Sequence, residues 1–166
     1  FVELKGTEVE VERIKSSFRR TFGQKAPFDV LGDSEGTRDA FMRLAPSART
    51  IHLATHAYFA PESIPSTADT SLDRSQLVRL STAREQVQGL APSLLCGLAF
   101  AGANRQGDDV EAILTAEELM HLDLSKCELA VLSACETNVG LDRAGLMIGT
   151  LRDAVHIAGA RRTMTT

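Results

Sequence analysis

The sequence predicts an α/β fold with a mainly parallel sheet flanked by helices. Three observations predict it. Short apolar runs of strand length recur at Phe28–Leu31, Arg49–Thr55, Leu94–Ala101 and Leu129–Ser133. Segments with helical periodicity alternate with them. Turn and stop residues, among them Gly23, Gly32, Pro46 and Gly159, stand at the boundaries. Such alternation favours parallel pairing, because parallel neighbours need a crossover and the crossover is usually a helix.

The elements follow in order. Residues 7–22 read as a helix: Thr7 and Glu10 have capping-box spacing, and Val11, Ile14, Phe18 and Phe22 recur along one face. Gly23 suits its stop. Phe28–Leu31 reads as a short strand ended by Gly32, and Thr37–Leu44 as a helix carrying Phe41 and Leu44 and closed by Pro46. Arg49–Thr55 is a strand with Ile51, Leu53 and Ala54 apolar. Residues 60–75, rich in Pro, Ser and Thr, read as a loop, and Leu77–Leu90 as a helix. A third apolar run, Leu94–Ala101, precedes a Gly-Asp-Asp turn at 107–109. Thr115 and Glu118 form a second capping box, opening a helix that runs to about Leu122. Leu129–Ser133 does not alternate, which predicts a strand buried on both faces. A loop at 137–142 leads to a helix from about Ala144 to Ala158.

Composition narrows the function classes. The 166 residues suit one domain, which can bury roughly 70% of its unfolded surface. Lys plus Arg (18) against Asp plus Glu (22) leaves a net charge of −4, which disfavours a protein that grips nucleic acid backbone. No run approaches the ~20 apolar residues of a membrane span, so no membrane contact is expected. Cys96, Cys127 and Cys135 are odd in number and widely spaced, so neither a disulfide framework nor a zinc knuckle is expected. Free thiols in a reducing cytoplasm are. The chain opens on Phe1 without Met, and is read as a single domain over 1–166, truncated at its C-terminus and cut from a longer protein.

In sheets of this class, working residues sit just beyond the carboxyl ends of strands. Two residues have that position. His56 follows the Arg49–Thr55 strand, and Cys135 lies one residue past Ala134 after the Leu129–Ser133 strand. If those strands are neighbours, imidazole and thiol face each other. A histidine there can take the thiol proton for attack on a carbonyl and then protonate the leaving amine. The oxyanion needs N–H donors, for which the amides of Ala57 and Cys135 are candidates. A lone cysteine is more often core, and a lone strand-end histidine more often a hydrogen-bonded surface residue. Only the paired placement favours chemistry.

Beyond spacing, His52-Leu53-Ala54-Thr55-His56 and Leu132-Ser133-Ala134-Cys135-Glu136-Thr137 closely resemble the two signature blocks of CHAT domains. These are bacterial, caspase-like cysteine peptidase domains of the caspase/separase superfamily, often attached to tetratricopeptide repeats. Gly6–Glu10, Gly36–Phe41, Gly97–Asn104 and Leu114–Leu119 resemble further blocks in the same order. The resemblance implies a caspase-like fold and peptide-bond hydrolysis in a protein substrate, with Cys135 as nucleophile and His56 as general base. It also implies control by regulatory or repeat regions of a longer chain, and no cofactor. Ala57 stands where the family usually has Gly, and Asn138 replaces another family Gly. A catalytically silent caspase-like interaction module is the alternative.

Other residues read more plainly. His52 lies four residues before His56, but a two-histidine metal site lacks a third ligand, so His52 is expected to be structural and no metal is expected. His121 and His156 are expected at surface or packing positions on helices, Cys96 and Cys127 in the core. Asp108, Asp109, Asp142 and Asp153 read as turn and helix-surface acids, and Arg161 and Arg162 as solvated.

Overall fold

A computed structural model of the chain describes residue 4 and residues 6–59, 92–104, 112–133 and 141–165. The predicted loop at 60–75, helix at 77–90 and turn at 107–109 lie outside these residues, as does the segment 134–140 that contains Cys135.

Helix α1 spans Thr7–Phe22. Its predicted face gathers rings: Phe18 packs on Phe22 and Phe28 with centroids 4.7 and 5.1 Å apart. The Thr7–Glu10 capping box does not form. Gly6 is the N-cap with no side-chain cap bond, and the Leu4 carbonyl accepts the Thr7 N–H instead. Glu10 is turned to another use, described below. Phe28–Leu31 is not a strand; Val30 and Leu31 are 40% exposed. A short run such as Phe-Asp-Val-Leu needs a paired neighbour to become a strand, and here Phe28 packs against a helix.

Helix α2, Arg38–Leu44, forms as expected. Its N-cap Thr37 accepts the Ala40 N–H, and Pro46 stands in the 3₁₀ turn Ala45–Ser47 that closes it. Strand β1 is Thr50–Ala54 and β2 is His56–Phe59, separated only by a bend at Thr55. A single turn, α3, covers Pro92–Leu95 and runs into β3, Cys96–Ala99, so the third apolar run is half helix and half strand. Strand β4, Ile113–Thr115, leads into α4, Ala116–Met120. Here the capping box is present: Thr115 Oγ1 accepts the Glu118 N–H, and Glu118 Oε2 accepts the Thr115 N–H. Strand β5 is Leu129–Ser133, α5 is Leu141–Ile157, and β6 is Thr163–Thr165.

The strands form two sheets. One is parallel, in the order β1-β5-β6; the other is antiparallel, in the order β2-β3-β4. The fold is α/β, with an antiparallel portion that periodicity did not predict. Strand β5 alternates between half-buried and buried residues and is not buried equally on both faces. Its Ala130 and Leu132 pair with Ile51 and Leu53 of β1 and point into the main core. That core includes Leu151, Ala154, Val155 and Ala158 along and just beyond α5, with Leu119 of α4. Val131 and Ser133 face the other way, beside His52 and Ala54. Small Ala130 lets the alternation hide behind an unbroken apolar run.

Gly159 closes α5 at φ 111°, a conformation that suits glycine, with Ser125 N only 3.0 Å from where a Cβ would lie.

Candidate active site

Strands β1 and β5 are adjacent and parallel, in the register Thr50 with Leu129 through Ala54 with Ser133. Just before their first residues, the Arg49 guanidinium holds Glu128 at 2.7 Å, and the Arg49 carbonyl accepts the Glu128 N–H. Their last ladder partners are Ala54 and Ser133. Beyond Ala54 the chain bends at Thr55 and starts β2 in the second sheet. Beyond Ser133 lies the segment with Cys135.

His56 therefore does more than follow a strand. It opens β2, half-buried, opposite Ala99 of β3. The bend before it is pinned: Thr55 Oγ1 donates to the carbonyl oxygen of Ala99, the very residue that faces His56 across the ladder. Backbone pairing on one side and a side-chain bond on the other hold the histidine's Cα where the two sheets part.

Ala57 is 3% exposed, and its side chain lies in a row with Leu98 and Leu114, both 0% exposed, across β2, β3 and β4. The small side chain thus packs in the core. Gly97 explains how β3 and β4 come so close. A Cβ there would fall 2.9 Å from the Thr115 Cα and nearer still to the Leu114 carbonyl oxygen.

His52 has the structural partner its placement called for. Its Nε2 lies 2.9 Å from Glu10 Oε1 of α1, and Ser133 Oγ donates to Glu10 Oε2 at 3.4 Å. Among the described residues, no group of three His, Cys, Asp or Glu side chains is placed to hold a metal ion. Glu10 is the residue that sequence reasoning missed. Its capping-box spacing is a genuine local signal, and nothing local shows that a residue 42 positions away competes for the carboxylate.

The remaining candidates among the described residues fall where expected. Cys96 and Cys127 are buried at 0% exposure, and burial raises the Cys127 thiol above the ordinary value. His121 is exposed at the end of α4, 4.0 Å from Glu117. His156 Nδ1 lies 3.1 Å from the Ala160 carbonyl oxygen, Asp153 pairs with Arg152, and Arg161 and Arg162 are exposed. Asp108 and Asp109 lie outside the described residues, as does the side chain of Asp142. No helix among the described residues is long and apolar enough to cross a membrane.

In α/β sheets ligands bind beyond the carboxyl ends of the strands, and β1 and β5 end together there, with His56 two residues past Ala54. The family model for the CHAT domain matches the chain over residues 1–166, and the chain belongs to the CHAT domain family, a caspase-like, peptidase-related group. A comparison with curated proteins finds no match.

Proposed function

We propose that this domain is a cysteine endopeptidase that hydrolyses peptide bonds in a protein substrate through Cys135 and His56. The observation that supports it most is the in-register parallel pairing of β1 and β5, whose last partners are Ala54 and Ser133. Two residues beyond Ala54 is His56; two residues beyond Ser133 is Cys135.

In this reading His56 takes the thiol proton and Cys135 Sγ attacks the scissile carbonyl carbon. The carbonyl π pair moves to oxygen, where the backbone N–H groups of Ala57 and Cys135 stabilise it. As the tetrahedral species collapses, the C–N bond breaks and the imidazolium gives its proton to the leaving amine. Water, deprotonated by the same imidazole, attacks the thioester; thiolate leaves, and the acid product is released. The substrate is a polypeptide, no cofactor takes part, and regulatory or repeat regions of a longer bacterial, cytoplasmic chain control access.

A peptidyl acyloxymethyl ketone, which alkylates an activated thiolate by displacing a carboxylate, tests this on the intact protein. The expected result is one adduct on Cys135, absent in Cys135→Ala and strongly reduced in His56→Ala. Labelling of Cys96 or Cys127 instead, or labelling indifferent to His56, overturns it. No labelling at all under activating conditions favours the silent interaction module.

A further inference from the structure

Glu10 of helix α1 meets the face of the parallel sheet opposite the main core, at His52 and Ser133. None of the residues of α1 is buried, so its seat depends on few contacts. At the end nearer the sheet rim those contacts are polar. One Glu10 carboxylate oxygen meets His52 on β1 and the other meets Ser133 on β5. His52 pairs with Val131 in the ladder, and Ser133 lies two positions further along β5 on the same face. The carboxylate therefore spans the two strands diagonally. It grips β5 at its last residue, where ladder hydrogen bonds stop and a strand is most free to fray. Cys135 is two residues further on, and His56 four beyond His52.

We propose that Glu10 is a positioning residue, through which the seat of α1 on the sheet sets how well Cys135 and His56 are aligned. This rests on the dyad reading above. Glu10 acts through Ser133 and His52: it ties the last residue of β5 to the middle residue of β1. A displacement of α1 breaks both bonds at once, because a single carboxylate makes them. Small misplacements of reacting groups are costly in rate even when substrate binding is unchanged. The helix is thereby a handle by which anything that moves it tunes the thiol. Glutamine at this position can still accept one hydrogen bond and donate the other, so the geometry and not the charge is what the proposal requires.

The test uses the intact protein and the same peptidyl acyloxymethyl ketone, reading the maximal inactivation rate and the half-saturating concentration separately. Glu10→Ala is expected to lower the maximal rate about tenfold, with half-saturation unchanged within about twofold. Ser133→Ala shifts the rate in the same direction, and Glu10→Gln retains most of it. Glu12→Ala, on an exposed neighbour that pairs only locally with Lys15, behaves as the parent. Thermal unfolding of each variant shows that the fold persists. If Glu10→Ala labels like the parent while His56→Ala does not, the positioning role is overturned and the dyad stands. If Glu10→Ala acts only on half-saturation, or Glu10→Gln is as slow as Glu10→Ala, positioning by geometry is overturned. If His56→Ala labels like the parent, the dyad falls and the role of Glu10 with it.

Discussion

Ala54 and Ser133 are partners across two parallel strands, and each is the last residue of its strand. The residue two positions beyond each is His56 in one case and Cys135 in the other. The shared register gives both positions the same separation in sequence from the last ladder partners.

That relationship sets the first prediction. In the intact, activated protein, Cys135→Ala and His56→Ala each remove nearly all cleavage. The double variant is no worse than either, since residues acting as a unit are not additive. Cys127→Ala, in contrast, keeps activity and loses on the order of 1 kcal/mol of stability. Cleavage and denaturant unfolding of the four variants check this. Turnover surviving in Cys135→Ala places the chemistry elsewhere.

Thr55 gives a second prediction. Its hydroxyl donates to the Ala99 carbonyl beside His56. Thr55→Val keeps the shape and removes the donor, which is expected to cost about 1 kcal/mol and to slow His56-dependent alkylation of Cys135. Thr55→Ser restores both. Equal alkylation rates in all three proteins show that the bond does not bear on the histidine.

The third prediction concerns pH. Burial is the main reason that the Cys127 thiol is raised above its ordinary value, and hydrogen bonding to the Leu129 and Ile51 backbone opposes the shift only in part. On unfolding, the thiol returns to ordinary acidity. Between the two values the unfolded chain has lost a proton that the folded chain keeps, so stability falls as pH rises above the ordinary thiol range. Below that range the contribution is fully present. Denaturant unfolding across alkaline pH detects the slope, and Cys127→Ala flattens it. A slope unchanged by that substitution assigns it to other groups.

Gly97 carries the fourth. The atoms that crowd its missing Cβ are the backbone of Leu114 and Thr115, which cannot swing aside as a flexible side chain could. Gly97→Ala is expected to destabilise by about 3 kcal/mol and to loosen the ladder in which His56 is seated. Hydrogen exchange at β2, β3 and β4 reads this directly. A neutral effect on unfolding shows that the two strands separate easily.

Many of the elements around the site are legible in short windows of sequence. The Thr115–Glu118 box, the helix closed at Pro46, the strand read over Arg49–Thr55 and found at Thr50–Ala54, and the strand Leu129–Ser133 all rest on signals within a few residues. A cap is a bond between near neighbours, whereas the apolar run Leu94–Ala101 did not mark its own limits, since only Cys96–Ala99 of it is strand. The same logic fails at Phe28–Leu31, where a run of strand character has no strand to pair with. It also fails at Glu10, where a cap of correct spacing loses its carboxylate to His52 and Ser133.

The sequence by itself determined the helices at Arg38–Leu44 and Ala116–Met120 and the strands at Thr50–Ala54 and Leu129–Ser133, and that a histidine and a cysteine follow the ends of those two strands in the chain. Only the tertiary structure decided that these strands are neighbours in register. It also decided that His56 begins a strand of a second, antiparallel sheet, that residues 163–165 form the outer strand of the first, and that Glu10 joins α1 to the rim. The reason is the range of the interactions. Caps and periodicity act within a turn or two of chain, whereas Glu10 and Ser133 are 123 residues apart. Pairing at that separation is selected by the combined burial of Ile51, Ala130, Leu132 and the apolar face of α5, which no local window contains.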